Sequence, residues 1–238
     1  MGKHIKIALI LTSLMIVIGV ILGMAYMSTE KAIAKADLNA KLSAIKFVLT
    51  NPKTGKLLVS EDQIPTTLSE LTQKTWKSSS SKILYSDPKY PGFVLSPVYQ
   101  FLGKNGEKIY VITGFGLGFG GRVSTIAGFV QKKNGFYENA IDVIDYSNET
   151  PGMGAKINDP DIRKRFFSIP NSGLEKGLKV NKDAFLFPLP KDYLSKLGQY
   201  KKKGIVVTSD VMTGATITPR AVVNSLNAMY DFLEKEAK

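Results

Sequence analysis

The stretch Asp210-Val-Met-Thr213-Gly214-Ala215-Thr216-Ile-Thr218 crowds three threonine hydroxyls next to one carboxylate. A threonine hydroxyl is a weak nucleophile unless a base or metal activates it, and the only histidine, His4, lies at the start of the chain. The chain contains no cysteine, which removes disulfides, thiolate catalysis and cysteine-held zinc or iron–sulfur centres. Chemistry here must use hydroxyls, carboxylates, amines, backbone groups or a borrowed cofactor. Thr218-Pro219 reads as the start of a helix, with Thr218 as N-cap and Pro219 at the first helical position. Capping does not account for Asp210, Thr213 or Thr216. They precede a helix N-terminus, where backbone N–H groups and the helix dipole favour a phosphate. Arg220, in the first turn, is a candidate partner for that phosphate or an ordinary solvated arginine.

A second set of special residues is Glu149-Thr150-Pro151-Gly152-Met153-Gly154. Pro151-Gly152 dictates a turn and Gly154 permits close approach. The segment reads either as a connector or as a ligand loop in which Glu149, Thr150 and bare backbone face a flat or polar partner. Gly116-x-Gly118-x-x-Gly121 matches the dinucleotide fingerprint letter by letter. That fingerprint needs a helix directly after it, and the residues that follow, Arg-Val-Ser-Thr, are strand-like. A flexible or closely packed loop between strands is the expectation.

These segments need a scaffold, and 238 residues with 44% hydrophobic side chains provide one membrane segment and one domain with its own core. Ile7 to Thr29 carries no charge and matches the roughly 20 apolar residues that cross a bilayer as a helix. Lys3, His4 and Lys6 precede it, so the positive-inside rule puts the N-terminus in the cytoplasm and the rest outside. A signal peptide cut near Ala32–Ala34 is the competing reading, disfavoured by the length of the apolar run. The division expected is 1–29 cytoplasmic tip and transmembrane helix, 30–51 helical stalk, and 52–238 extracytoplasmic domain.

Within that domain, Asn105-Gly106 and Asn134-Gly135 each separate two strand-like runs, which predicts two hairpins and an antiparallel sheet. Asp159-Pro160 opens a predicted helix reaching Phe167, and Gly204–Ser209 reads as a strand. Val222, Val223, Leu226, Met229, Tyr230 and Leu233 give a terminal helix one apolar face. The fold class is α+β, with flanking helices on the sheet. The net charge of +12 is scattered over clusters at 132–133, 163–165 and 201–203, which reads as solvated lysine-rich faces or else as proximity to an anionic membrane, without nucleic-acid binding.

Asp210-x-x-Thr213-Gly214-Ala215-Thr216 resembles the flavinylation motif of the FMN-binding domains in the Rnf and Na⁺-translocating NADH:quinone reductase complexes. The glycine-rich loop, the hairpin and Glu149-Thr-Pro-Gly-Met-Gly154 resemble the body of the same family. Between its two branches, the sequence is more similar to the G-type subunit of the Rnf complex than to the C-type subunit of the quinone reductase. The resemblance implies FMN bound covalently through a phosphoester to Thr216. Thr213, Gly214, Ala215 and Thr218 would then shape the phosphate end, with the 149–154 loop near the isoalloxazine. It implies an electron relay in the inner membrane, partnered by other Rnf subunits and loaded by a flavin transferase, within an enzyme that couples ferredoxin and NAD to Na⁺ or H⁺ movement. The rival from another class is a non-redox extracytoplasmic sensor or structural module of the same fold.

Overall fold

The computed structural model describes residues 2–237, in two compact units that meet between Lys41 and Leu42. Helix α1, Lys3–Val48, contains the apolar run, and its window of highest hydropathy is wholly unburied, which makes it a candidate membrane span. The sequence alone suggests a helical stalk over 30–51 that is either extended or packed on a partner. The structure assigns the last turns of α1 to the second unit, where Leu42, Ala44, Ile45, Val48 and Leu49 are buried. Their spacing is that of a helix face with a partner. Asn139 completes the helix end by donating from Nδ2 to the carbonyls of Val48 at 2.8 Å and Thr50 at 2.9 Å, groups that have no partner within the helix.

The second unit continues through α2, Leu68–Gln73, and four strands: β1, Thr75–Lys77; β2, Ile83–Ser86; β3, Gly92–Leu95; and β4, Val98–Leu102. Three long strands follow: β5, Lys108–Leu117; β6, Arg122–Lys132; and β7, Gly135–Asp145. The sheet is antiparallel. One edge of β5 is shared, pairing with β4 over its first half and β3 over its second, while its other edge pairs with β6, which pairs with β7. Gly106 at φ +81° and Gly135 at φ +112° make the two hairpin turns that the Asn-Gly pairs predict.

After β7 come short elements: α3, Pro160–Arg163; α4, Asn171–Leu174; β8, Lys179–Val180; α5, Leu197–Lys202; and β9, Ile205–Val206. The helix predicted for 159–167 is α3 followed by a 3-10 turn to Phe166, and Asp159 makes no side-chain cap bond. The strand predicted for 204–209 stops at Val206 because the fully buried Asn181 takes over, its Oδ1 accepting from the N–H groups of Thr208 and Ser209. The charge cluster at 163–165 is not simply solvated: Arg163 is ion-paired with Asp142 and Arg165 with Asp210, all four partly buried.

Helix α6, Ile217–Glu236, lies on the sheet and is buried on nearly every side. Glycines permit its close approach: a Cβ on Gly92 would stand 2.1 Å from the Asn224 carbonyl oxygen, and one on Gly116 2.1 Å from that of Ala221. The far side of α6 also meets protein, since Asn227 exchanges hydrogen bonds with the backbone N–H and carbonyl of Leu178. In β7 the fully buried Glu138 accepts from the Ile169 N–H at 3.1 Å, and burial pushes its carboxyl up to about 8. Burial lowers the ammonium of nearby Lys201, which donates to the carbonyls of Lys164 and Phe167.

Candidate functional site

Three loops converge at the start of α6: the β5–β6 connection, the segment after β7, and the threonine loop. They enclose a cavity of about 350 Å³ lined by Phe119, Thr150, Met153, Gly154 and the run from Gly214 to Thr218, a size within the range of small-molecule sites. Gly214, at φ +86°, makes the left-handed bend that only glycine adopts without strain. The chain then reaches Thr216, which occupies the N-cap position but makes no side-chain cap bond.

The sequence predicts Thr218 as the N-cap, and the structure corrects this. Thr218 lies inside the first turn, 2% exposed, and its hydroxyl donates to Glu149 Oε2. The third helical position falls to Pro219, whose missing N–H is harmless because the first four N–H groups of a helix have no internal partner. Thr216 lines the cavity and keeps its hydroxyl free of capping duty.

Glu149 does not face the cavity. It is 4% exposed, its Oε1 accepts from the Gly120 N–H at 3.3 Å, and three glycines wall it in. A Cβ on Gly118 would stand 2.1 Å from Oε1, and one on Gly154 2.6 Å from Oε2. The glycine-rich loop is therefore tightly packed around a carboxylate. Glu149 acts as a tie between the three loops. Of its neighbours, Thr150, Met153 and Gly154 line the cavity, while Pro151 and Gly152 form the exposed turn, with Gly152 at φ +78°.

Asp210 also stands back from the cavity. Its Oδ2 accepts from Arg165 at 2.5 Å and from the Tyr193 hydroxyl at 3.0 Å, and these bonds anchor the root of the threonine loop. Thr213 is exposed and off the wall. Arg220 grips Asp183 through two 2.6 Å hydrogen bonds, a fork that raises its pKa further, so its charge is already matched. The cation beside Thr216 is Lys182, whose Nζ stands 3.4 Å from Oγ1. Sequence reasoning missed Lys182 because Asn-Lys-Asp in a loop has no pattern. It missed Phe119 too, although a bulky aromatic among glycines was a usable signal.

The cavity fits a flavin nucleotide. Phe119, Met153 and Ile217 are 71%, 52% and 40% exposed, an apolar surface suited to a flat ring system, and the threonine hydroxyl with its ammonium neighbour suits a phosphate. Among the described residues no cluster of three or more His, Asp or Glu side chains could hold a metal. Fold and cavity define the class: an α+β domain whose three converging loops offer a lining suited to a flat, phosphate-bearing cofactor. The model of the FMN-binding domain matches residues 118–231, which include all three loops. A crystal structure from Thermotoga maritima, described as a putative RnfG subunit of an electron transport complex, is 40% identical to this chain. It superposes with a TM-score of 0.63, over 84% of this chain and 99% of its own. No curated protein matches the chain. The chain belongs to the FMN-binding domain family, on the branch of the RnfG subunits.

Proposed function

We propose that this chain is a membrane-anchored electron carrier holding FMN by a phosphoester bond to Thr216, within an ion-translocating ferredoxin:NAD oxidoreductase of the Rnf type. The observation that carries the reading is Thr216 itself, a residue of the cavity lining whose hydroxyl is unused as a cap and within reach of Lys182. FMN supplies the redox chemistry and the protein supplies position and electrostatics. Gly214 and Ala215 shape the approach to the phosphate, and Phe119 and Met153 offer the apolar surface for the ring. Glu149 and Asp210 keep the loops in register from behind.

Helix α1 anchors the chain as a single span with its N-terminus in the cytoplasm, which places the flavin domain outside the inner membrane. Occupancy of a reversible site follows free ligand concentration, so a covalent bond retains the cofactor where no flavin pool exists. A separate flavin transferase makes the bond, and electrons pass between this chain and other subunits of the complex. The coupling ion, Na⁺ or H⁺, is handled elsewhere in that complex. The test is in-gel flavin fluorescence of the denatured full chain made alongside an active flavin transferase. A fluorescent wild-type band that disappears in Thr216→Ala is the expected result. A dark wild-type band would favour a non-redox module, and fluorescence lost only in Thr218→Ala would move the attachment to that residue.

A further inference from the structure

We infer that Lys182 is the cationic half of the cofactor-phosphate site, a role that rests on attachment at Thr216. A phosphate joined to Thr216 through one ester and to riboflavin through another keeps a single negative charge and two non-bridging oxygens. These oxygens lie on the phosphorus bonded to Oγ1, and the ammonium of Lys182 is already 3.4 Å from that atom.

Three features of the surroundings make Lys182 the cation for this position. Its acidic neighbour Asp183 is occupied by Arg220 through two 2.6 Å bonds. That clamp leaves the guanidinium with a matched charge. No ion pair is formed by Lys182 among the described residues. A half-buried ammonium without a carboxylate partner is a ready site for an anion.

The loop that carries Lys182 is also fixed to the loop that carries Thr216. Asn181 donates from Nδ2 to the Leu186 carbonyl at 2.9 Å and to the Ser209 hydroxyl at 2.8 Å, while Oδ1 accepts from the N–H groups of Thr208 and Ser209. One buried amide thus ties 182–186 to the root of the threonine loop. The Phe187 ring also lies 5.3 Å from Nζ, within the reach of a cation–π contact. The ammonium thus has both an aromatic face and the threonine oxygen as neighbours.

The experiment uses the full chain co-produced with a flavin transferase, in wild-type, Lys182→Met, Lys182→Arg and Thr216→Val forms. Two quantities are read: the rate of covalent labelling by in-gel fluorescence, and the phosphorus NMR resonance of the loaded protein. The expected result is labelling about tenfold slower in Lys182→Met, equivalent to about 1.4 kcal/mol, near wild-type labelling in Lys182→Arg, and a phosphorus resonance displaced in Lys182→Met only. Labelling and resonance both unchanged in Lys182→Met would overturn the assignment. So would slower labelling with an unchanged resonance, which would mean that the transferase, and not the phosphate, reads Lys182. A loss that Lys182→Arg does not restore would overturn it as well. If wild type is dark or Thr216→Val stays fluorescent, the attachment reading itself has failed, an outcome distinct from all of these.

Discussion

Breaking the contact between Thr218 and Glu149 tests whether the cavity is assembled by one buried carboxylate. The Thr218 hydroxyl donates to Oε2 and the Gly120 N–H to Oε1 at 3.3 Å, in a place reached by little solvent. A hydrogen bond to a charged acceptor contributes about 1.5–3 kcal/mol net, and a long backbone bond nearer 0.5 kcal/mol. Thr218→Val, which keeps the volume, should therefore destabilise by roughly 2 kcal/mol. Glu149→Ala, which also strands the Gly120 N–H, should cost about 3–4 kcal/mol. The double variant should be little worse than Glu149→Ala, giving a coupling energy of about 1.5–3 kcal/mol. The assay is urea unfolding of the full chain in detergent, followed by the fluorescence of Trp76. That single tryptophan stands edge-on to Tyr110 at 4.8 Å and to Phe232 at 6.1 Å, and so reports the packing of α6 on the sheet. If the two substitutions add to within about 0.5 kcal/mol, as independent sites do, the carboxylate is not the tie between these loops and the reasoning fails.

Two other perturbations read the scaffold. In Gly116→Ala the new Cβ would meet backbone atoms of Ala221, 2.1 Å away at the nearest, which cannot swing aside. Thermal melting should show a loss of roughly 3 kcal/mol or more, whereas Gly198→Ala, which opens into empty space in α5, should stay level or gain up to about 1 kcal/mol. The raised pKa of Glu138 sets a pH dependence. A carboxyl that titrates at about 8 when folded and 4.5 otherwise contributes stability fully below pH 4.5, and loses it as pH rises through about 8. Glu138→Gln should therefore gain on wild type by about 2–4 kcal/mol between pH 5 and pH 8, in unfolding curves taken at both values. A constant difference across that range would show that Glu138 does not titrate there.

The parts of this fold visible from sequence are those where one local rule suffices. Asn-Gly at 105–106 and 134–135 marked the hairpins, the uncharged run from Ile7 marked the long helix, and the three- and four-residue spacing after Pro219 marked α6. What escaped depended on contacts between distant segments. Thr218 looked like a cap because Thr-Pro fits that motif, but a carboxylate 69 positions earlier claims its hydroxyl. The end of the stalk looked like Asn51-Pro52, yet Val48 already packs against Gly128, where a Cβ would come within 2.6 Å of its carbonyl oxygen. Likewise the motifs marked Thr216 and two of the three loops that line the cavity, but not Lys182 or Asn181, whose roles exist only once residues 181 and 208–216 are folded together.

The glycines of β3 and β5 beneath α6 fix more than its distance from the sheet. Because Gly92 and Gly116 carry no Cβ, strand backbone lies directly against the carbonyls of Asn224 and Ala221, and the first half of the helix is seated on the sheet itself. Thr216 sits at the N-cap of that helix, so a cofactor tied to its hydroxyl would stand on the end of an element packed directly against strand backbone.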